Sequence, residues 1–225
     1  MTYKIFALVP MRHHSERVPG KNYRILAGKP LLYHILNTLQ VVPDLDGILV
    51  DTDSPVILEF LQKDFPKVHT LSRPEHLQGD DVPMNEILMH DTGVIESAYY
   101  LQTHSTNPLL RAETIKGAIQ RFFKSMPEYD SLFGVTRLQT RLWDQRGRPI
   151  NHDPQVLLRT QDLPPVYEEN SCIYIFSRQT LLARRNRLGE RPLMFEIPAI
   201  EAWDIDEELD FTVADVLYRQ LYGQS

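Results

Sequence analysis

The run Ile5-Phe6-Ala7-Leu8-Val9-Pro10 opens directly into Met11-Arg12-His13-His14-Ser15-Glu16-Arg17-Val18-Pro19-Gly20-Lys21-Asn22, and the reading of the whole chain turns on this junction. A short run that is apolar on both faces suits a central parallel strand covered by helices on each side. The loop after it gathers Arg12, Arg17, Lys21, Ser15 and Asn22 around Gly20, a composition that seats an anion such as a phosphate chain. A solvated basic loop with Asn22 shaping a turn has the same composition, so the loop alone leaves both roles open. It is neither a Walker loop nor a dinucleotide fingerprint, because the glycines those need at defined positions are missing.

Outward from the loop, the chain alternates. Leu32, Ile35, Leu36 and Leu39 lie at helical spacing after Lys29-Pro30, and Asp46 to Asp51 repeats the strand pattern. Ser54 and Pro55 supply an N-cap and a first helical residue for the next helix, which carries Ile57, Leu58 and Leu61. Val68 to Leu71, Tyr99 to Gln102, Leu132 to Val135, Cys172 to Phe176 and Leu193 to Ile197 read as further strands. Helical stretches lie around Met84 to Ile95, Ile115 to Phe122 and Thr180 to Arg187, and a final one carries Leu209, Val213, Val216, Leu217 and Leu221. Such alternation predicts an α/β fold with a parallel sheet and crossover helices. The hydroxyl- and amide-rich loop Thr103 to Pro108 is expected to face the same crevice as the opening loop, since ligands of open α/β sheets sit where strands end and helices begin. From Leu138 to Pro165 no helical period is visible, and this stretch reads as an arm of short strands that covers a site or packs against a partner subunit.

At 225 residues the chain fits a single domain, and apart from the arm no linker divides it. A net charge of -6 without a Lys/Arg block argues against a general nucleic-acid binder. No stretch approaches a secretory or membrane-spanning segment, so no membrane partner and a cytoplasmic location are expected. Cys172, the single cysteine, has no partner for an internal disulfide or a zinc site and reads as a small apolar strand residue. The adjacent His13 and His14 point apart on an extended backbone, which disfavours joint chelation. No Gly-x-Ser-x-Gly elbow is present.

Asp204 and Asp206 are two residues apart, so on an extended backbone both carboxylates face one side and can converge on a hard cation, magnesium being the natural choice. The same residues also suit an acidic first helical turn, Asp206-Glu207-Glu208, set against the helix dipole. Spacing does not decide between the two.

Several segments occur together in one order: Arg12, Ser15, Pro19, Lys21 and Asn22; Asp51-Thr52-Asp53-Ser54; Arg73-Pro74-Glu75 with Gly79-Asp80-Asp81; Leu101-Gln102 with Asn107-Pro108-Leu109; Arg159 with Gln161-Asp162-Leu163-Pro164; Tyr167 to Asn170; and Asp204-Ile205-Asp206. Over nearly its whole length the chain thereby resembles the acylneuraminate cytidylyltransferase family. The resemblance implies a three-layer, Rossmann-like nucleotide-diphospho-sugar transferase fold with a mostly parallel sheet and a protruding β arm at 138–165. It implies transfer of CMP from CTP to the anomeric hydroxyl of a sialic-acid-like 2-keto sugar acid, with release of pyrophosphate. Asp204 and Asp206 would hold Mg²⁺, and with Arg12 and Lys21 would make up the catalytic set. Ser15, Arg17, Asn22, Arg73 and Asp80 would join Arg12 and Lys21 in holding the nucleotide. Gln102, Asn107, Arg159, Gln161 and Tyr167 would meet the sugar. A homodimer joined through the arm is expected, with an arm residue reaching the neighbour's site.

The chain also departs from the family pattern. His13 and His14 stand where two glycines are usual, and Glu16 where a lysine is usual; a carboxylate there repels phosphate. Glu168 and Glu169 stand near where the family often has an arginine for the sugar carboxylate, a pattern that would suit an acceptor carrying a cationic amine. Two other readings follow from these features: a deoxyoctulosonate-type cytidylyltransferase, and a nucleotide-binding protein of the same fold that has lost catalysis.

Overall fold

The computed structural model describes residues 4–79 and 81–223. In chain order the elements are β1 (Ile5–Leu8), a hairpin of β2 (Ile25–Leu26) and β3 (Lys29–Pro30), α1 (Leu31–Gln40), β4 (Gly47–Thr52), α2 (Pro55–Asp64) and β5 (His69–Ser72). They continue with α3 (Met84–Val94), β6 (Tyr99–Gln102), α4 (Ala112–Ser125), β7 (Ser131–Leu138), β8 (Val166–Ser177), α5 (Arg178–Arg184), β9 (Pro192–Glu196) and α6 (Glu208–Tyr222). Seven strands form one sheet in the order β5-β4-β1-β6-β8-β7-β9. Only β8 runs antiparallel to its neighbours, so the sheet is mostly parallel, as the alternation predicts.

Strand β1 explains the three layers. Successive side chains of a strand face opposite sides. Ile5, Ala7 and Val9 pack with Leu32, Ile35 and Leu36 of α1, Ile57 and Leu61 of α2, and Ile115, Ile119 and Phe122 of α4. Phe6 and Leu8 pack on the other side with Leu88 of α3 and Leu181 of α5. The helices are therefore divided between the two faces by the parity of the strand residues. Ser54 caps α2, its Oγ accepting from Ile57 N at 3.3 Å with Pro55 in the first turn. No helix among the described residues is long and apolar enough to cross a membrane.

β1 pairs with β4 on one side and β6 on the other, so the connections leaving its neighbours diverge there. Such a switch point opens a crevice at the carboxyl ends of the strands. The loops after β1, β5 and β6 all emerge at that edge. A third apolar cluster, Val18, Leu26, Leu31, Ile205, Phe211 and Ala214, fastens the opening loop to the segment before α6.

The arm is more ribbon at its base and less strand beyond it than the sequence implies. β7 and β8 stay paired out to Leu138↔Val166, with a register shift between Phe133 and Val135. Farther out, the described residues hold the bridge Trp143↔Pro149 and a 3-10 turn at Thr160–Asp162, but no named strand. Pro149, Pro154, Pro164 and Pro165 lack the N–H that a ladder needs. Asn151 supplies the order instead: its Nδ2 donates to Thr140 O at 2.7 Å and Pro164 O at 3.1 Å, and its Oδ1 accepts from Leu142 N at 2.9 Å.

Gly20 sits at φ 65°, and a Cβ there would come within 2.6 Å of the Tyr23 ring. The left-handed region disfavours side chains by roughly 1–2 kcal/mol. Gly20→Ala is accordingly expected to lower stability by about that amount in urea unfolding, and an unchanged midpoint would refute the strain.

Candidate active site

The crevice is a cleft of roughly 590 Å³ lined by the opening loop, Arg73, the 104–106 turn, Asp204 and Asp206. Eight of the expected site residues line it: Arg12, Ser15, Arg17, Lys21, Asn22, Arg73, Asp204 and Asp206. The opening loop is held by the backbone bond Met11 N to Asp51 O at 2.8 Å and by burial of Val18. Asn22 braces it from within, donating Nδ2 to Arg12 O at 2.8 Å while its Oδ1 accepts from Ser105 Oγ. Ser15 Oγ accepts from Val18 N at 3.3 Å. Asn22 thus shapes the seat with both side-chain atoms.

The two histidines behave differently. His13 turns away from the cleft: Nδ1 shares a 2.7 Å hydrogen bond with the Ser54 hydroxyl, its N–H donates to Asp53 Oδ1 at 2.7 Å, and its ring stacks on Tyr23. His14 and Glu16 are exposed and line the cleft. Glu16 therefore adds a carboxylate to the cleft that Arg12, Arg17 and Lys21 also line.

Asp204-Ile205-Asp206 precedes α6 without regular structure. Ile205 is fully buried in the cluster with Val18 and Phe211, and its N–H donates to Thr106 O at 3.0 Å. Both flanking aspartates line the cleft. Glu201, buried, accepts from Arg111 N at 3.1 Å and Arg111 Nε at 2.8 Å, which ties this segment to the start of α4. Asn107 likewise donates Nδ2 to Trp203 O at 3.3 Å. The acidic first turn of α6 is supplied by Glu208 and Asp210, with Glu207 as N-cap in a capping box, so Asp206 lies ahead of the helix.

Charge in the cleft is finely divided. Lys21 Nζ donates to Ile205 O at 2.6 Å and stands 4.0 Å from Asp206 Oδ1. Burial lowers the Lys21 pKa, against the pull of Asp204 and Asp206. Arg17 Nη2 donates to Asp206 Oδ1 at 2.7 Å. Burial raises the Asp204 pKa, a hydrogen bond from Thr106 opposes it, and Asp206 adds to the rise. Asp204 Oδ1 is buried without a hydrogen-bond partner. An orphaned carboxylate oxygen beside a second carboxylate is a donor set that fits a hard divalent cation.

The residues expected on the sugar side divide. Gln102 is fully buried at the end of β6; its amide nitrogen lies 2.8 Å from His104 Nε2 and its Oε1 accepts from Arg187 Nη1 at 2.6 Å. Arg187 lies 3.5 Å over the Tyr174 ring. His104 lines the cleft, and burial, then Arg187 and Lys21, push its pKa down to about 3. Asn107 is a brace behind the cleft. Arg159, Gln161 and Tyr167 are exposed on or beside the arm and do not line the cleft of their own chain; Arg159 pairs with Asp162 at 2.6 Å. The arm carries them away from the sheet edge. Glu168 is exposed, and Glu169 accepts from the Tyr174 hydroxyl. Asp80 lies outside the described residues. Arg187 and His104 were not singled out by spacing: Arg187 sits in a run, Arg184 to Arg187, that reads as a solvated helix end.

Comparison with known proteins bears on the family and the fold. The cytidylyltransferase family model matches residues 6–219. The pseudaminic acid cytidylyltransferase of Campylobacter jejuni (serotype O:2) is 24% identical over 96% of this chain and 97% of its own length. The N-acylneuraminate cytidylyltransferase A of Danio rerio is 27% identical over 94% of this chain, which spans 50% of that protein. Among solved structures, CMP:2-keto-3-deoxy-manno-octonic acid synthetase complexed with CTP superposes with a TM-score of 0.72 at 18% identity, covering 97% of this chain and 99% of that one. A 4-diphosphocytidyl-2C-methyl-D-erythritol synthase from Anaerococcus prevotii gives 0.69 at 14% identity, with 97% of each chain covered. These likenesses establish the nucleotide-diphospho-sugar transferase fold. With a family model matched from the first strand to the last helix, the chain belongs to the cytidylyltransferase family.

Proposed function

We propose that the chain transfers CMP from CTP to the anomeric hydroxyl of a sialic-acid-like 2-keto sugar acid and releases pyrophosphate. The observation that carries this reading is the convergence of Arg12, Arg17 and Lys21 with Asp204 and Asp206 in one cleft. The near-complete mutual coverage with a pseudaminic acid cytidylyltransferase supports a nine-carbon sugar acid of that class as acceptor. The Thr103-His104-Ser105 turn after β6 brings no carboxylate to the site, which counts against the deoxyoctulosonate-type alternative.

In the reaction the sugar hydroxyl loses its proton to water, its oxygen attacks the α-phosphorus to form an O–P bond, the bond from the α-phosphorus to the β-phosphate oxygen breaks, and pyrophosphate departs. The protein's task is positioning and charge stabilisation. Asp204 and Asp206 would hold Mg²⁺, which when bound supplies Lewis-acid polarisation of the phosphate. Arg12 and Lys21 neutralise the β and γ phosphates and so improve the leaving group. Arg17 is held by Asp206 in an exposed ion pair, and such pairs contribute about 1 kcal/mol or less. Phosphate can therefore take Arg17 over at little expense. Gln102, fully buried with its amide engaged by His104 and Arg187, would act on the acceptor side through His104, which lines the cleft. The arm exposes Trp143, Ile150, Val156, Leu157 and Leu158, an apolar surface suited to a second copy of the chain.

Pyrophosphate release is expected with CTP and a sialic-acid-like acceptor, and much less with ATP, GTP or UTP. A panel of pseudaminic, N-acetylneuraminic and deoxyoctulosonic acids names the acceptor; turnover confined to the last overturns the assignment, and CTP binding without turnover on any acid favours the binding-protein reading. Asp204→Asn or Asp206→Asn should each lower kcat/KM by roughly 100-fold or more, and a chelator should abolish turnover until Mg²⁺ is restored. Glu16→Lys should lower the KM for CTP several-fold by removing a like charge from the phosphate seat. Leu157→Asp should turn a dimer into a monomer in light scattering.

A further inference from the structure

Behind the Arg73 wall of the cleft lies a buried cluster that the reaction above does not use. Asp51 comes from β4, Arg73 from just beyond β5, and His90 and Asp91 from α3. The Asp51 and Asp91 side chains are almost completely inaccessible, and so is that of Arg73. Asp51 Oδ1 accepts from Arg73 Nε, while Arg73 Nη2 lies 3.4 Å from Asp51 O and 3.5 Å from Met11 O. Three carboxylate oxygens remain buried with no partner: Asp51 Oδ2 and both oxygens of Asp91. Ligand atoms of Asp51, Asp91 and His90 all lie within 4.8 Å of one another.

Two ionised carboxylates against one guanidinium would leave a net negative charge in a dry site, which is strongly disfavoured. A single proton removes both difficulties. It cancels the excess charge, and it converts one orphaned Asp91 oxygen into an O–H donor for Asp51 Oδ2, so that two of the three unmet oxygens are satisfied at once. Asp51 already faces Arg73 directly, so Asp91 is the member that takes the proton. The rival source of positive charge, His90, has Nδ1 3.6 Å from Asp91 Oδ1, beyond hydrogen-bond distance.

We propose that Asp91 carries a proton which it donates to Asp51, and that this buried acid pair fixes Arg73 against the nucleotide end of the cleft, making Asp91 a positioning residue. The nucleotide part rests on the proposed function; the proton does not. Burial, then Asp51, pushes Asp91 up to about 8, with Arg73 opposing. The charged and titratable groups facing Asp91 are Asp51 from β4, Arg73 beyond β5, and His90 on its own helix.

The sign of the linkage is definite. With the folded-state pKa above the unfolded one, the native chain binds more protons than the unfolded chain over the intervening range, so this group makes stability fall as pH rises from about 4 to about 8. Urea unfolding of wild type, Asp91→Asn and Asp91→Ala at pH 5 to 8, with calorimetric CTP titration of each, tests both halves. Asp91→Asn keeps a neutral donor: it should gain stability relative to wild type as pH rises and bind CTP within about threefold of it. Asp91→Ala leaves Asp51 Oδ2 unmet and should weaken CTP binding about tenfold, with kcat at saturating CTP changed far less. Parallel stability curves for wild type and Asp91→Asn would overturn the shared proton. Equal CTP affinities for the Asn and Ala variants would overturn the positioning role. Stabilisation of wild type by Mg²⁺ or Zn²⁺ that Asp91→Asn abolishes would overturn both in favour of a metal held by Asp51, His90 and Asp91. Failure of wild type to bind CTP would instead defeat the proposed function, and the pH series would still decide the proton.

Discussion

The contact between Lys21 and the backbone of Ile205 joins the start of the chain to its end: Nζ donates to Ile205 O at 2.6 Å across 184 residues of sequence. It could not form if Ile205 were mobile. Ile205 is buried with Val18 of the same opening loop, so an apolar contact and a hydrogen bond fasten the same two segments. Burial of an ammonium group is disfavoured unless it is paired. Asp204 and Asp206 provide that pairing, and the arrangement that satisfies Lys21 also gathers the carboxylates. Fold and site are thus held by one set of contacts.

The rest of the cleft follows from this joint. The parity of β1 sets the helix layers, and the switch point beside β1 leaves a gap that the loops after β1, β5 and β6 must border. Several polar groups in or near the loops around the gap are engaged with the protein itself. Asn22 spends both side-chain atoms on the loop, Asn107 and Glu201 hold the aspartate segment, and His13 is absorbed by Ser54 and Tyr23. His14 and Glu16 are the departures that do face the cleft, so two of the three unusual positions border the basic loop and one is turned away from it.

Legibility in the sequence followed the range of the signal. The apolar parity of Ile5 to Val9, the spacing of α1 and the Ser54-Pro55 cap are local, and each named its element correctly. The irregular outer arm was less legible, because proline-rich backbone is ordered by side-chain to backbone bonds from residues such as Asn151 and Gln139 that no period announces. At the site, Arg12, Ser15, Arg17, Lys21 and Asn22 stood together in one loop and were readable as a group. Arg187 was not, since nothing near it in sequence marks a guanidinium destined to lie over Tyr174 and hold Gln102.

The sequence by itself determined the α/β alternation, the central strand and the basic, hydroxyl- and amide-bearing composition of its loop, because these depend on residues within one or two turns of each other. Tertiary structure decided what the loop faces. It turned His13 inward and left Glu16 at the seat, brought Asp204 and Asp206 to Lys21, kept Arg159, Gln161 and Tyr167 out of the cleft of their own chain, and buried Asp51 with Asp91 behind Arg73. Each of these depends on groups far apart in sequence meeting where water is excluded, and there the unmet charge or hydrogen bond, rather than any local preference, selects the partner.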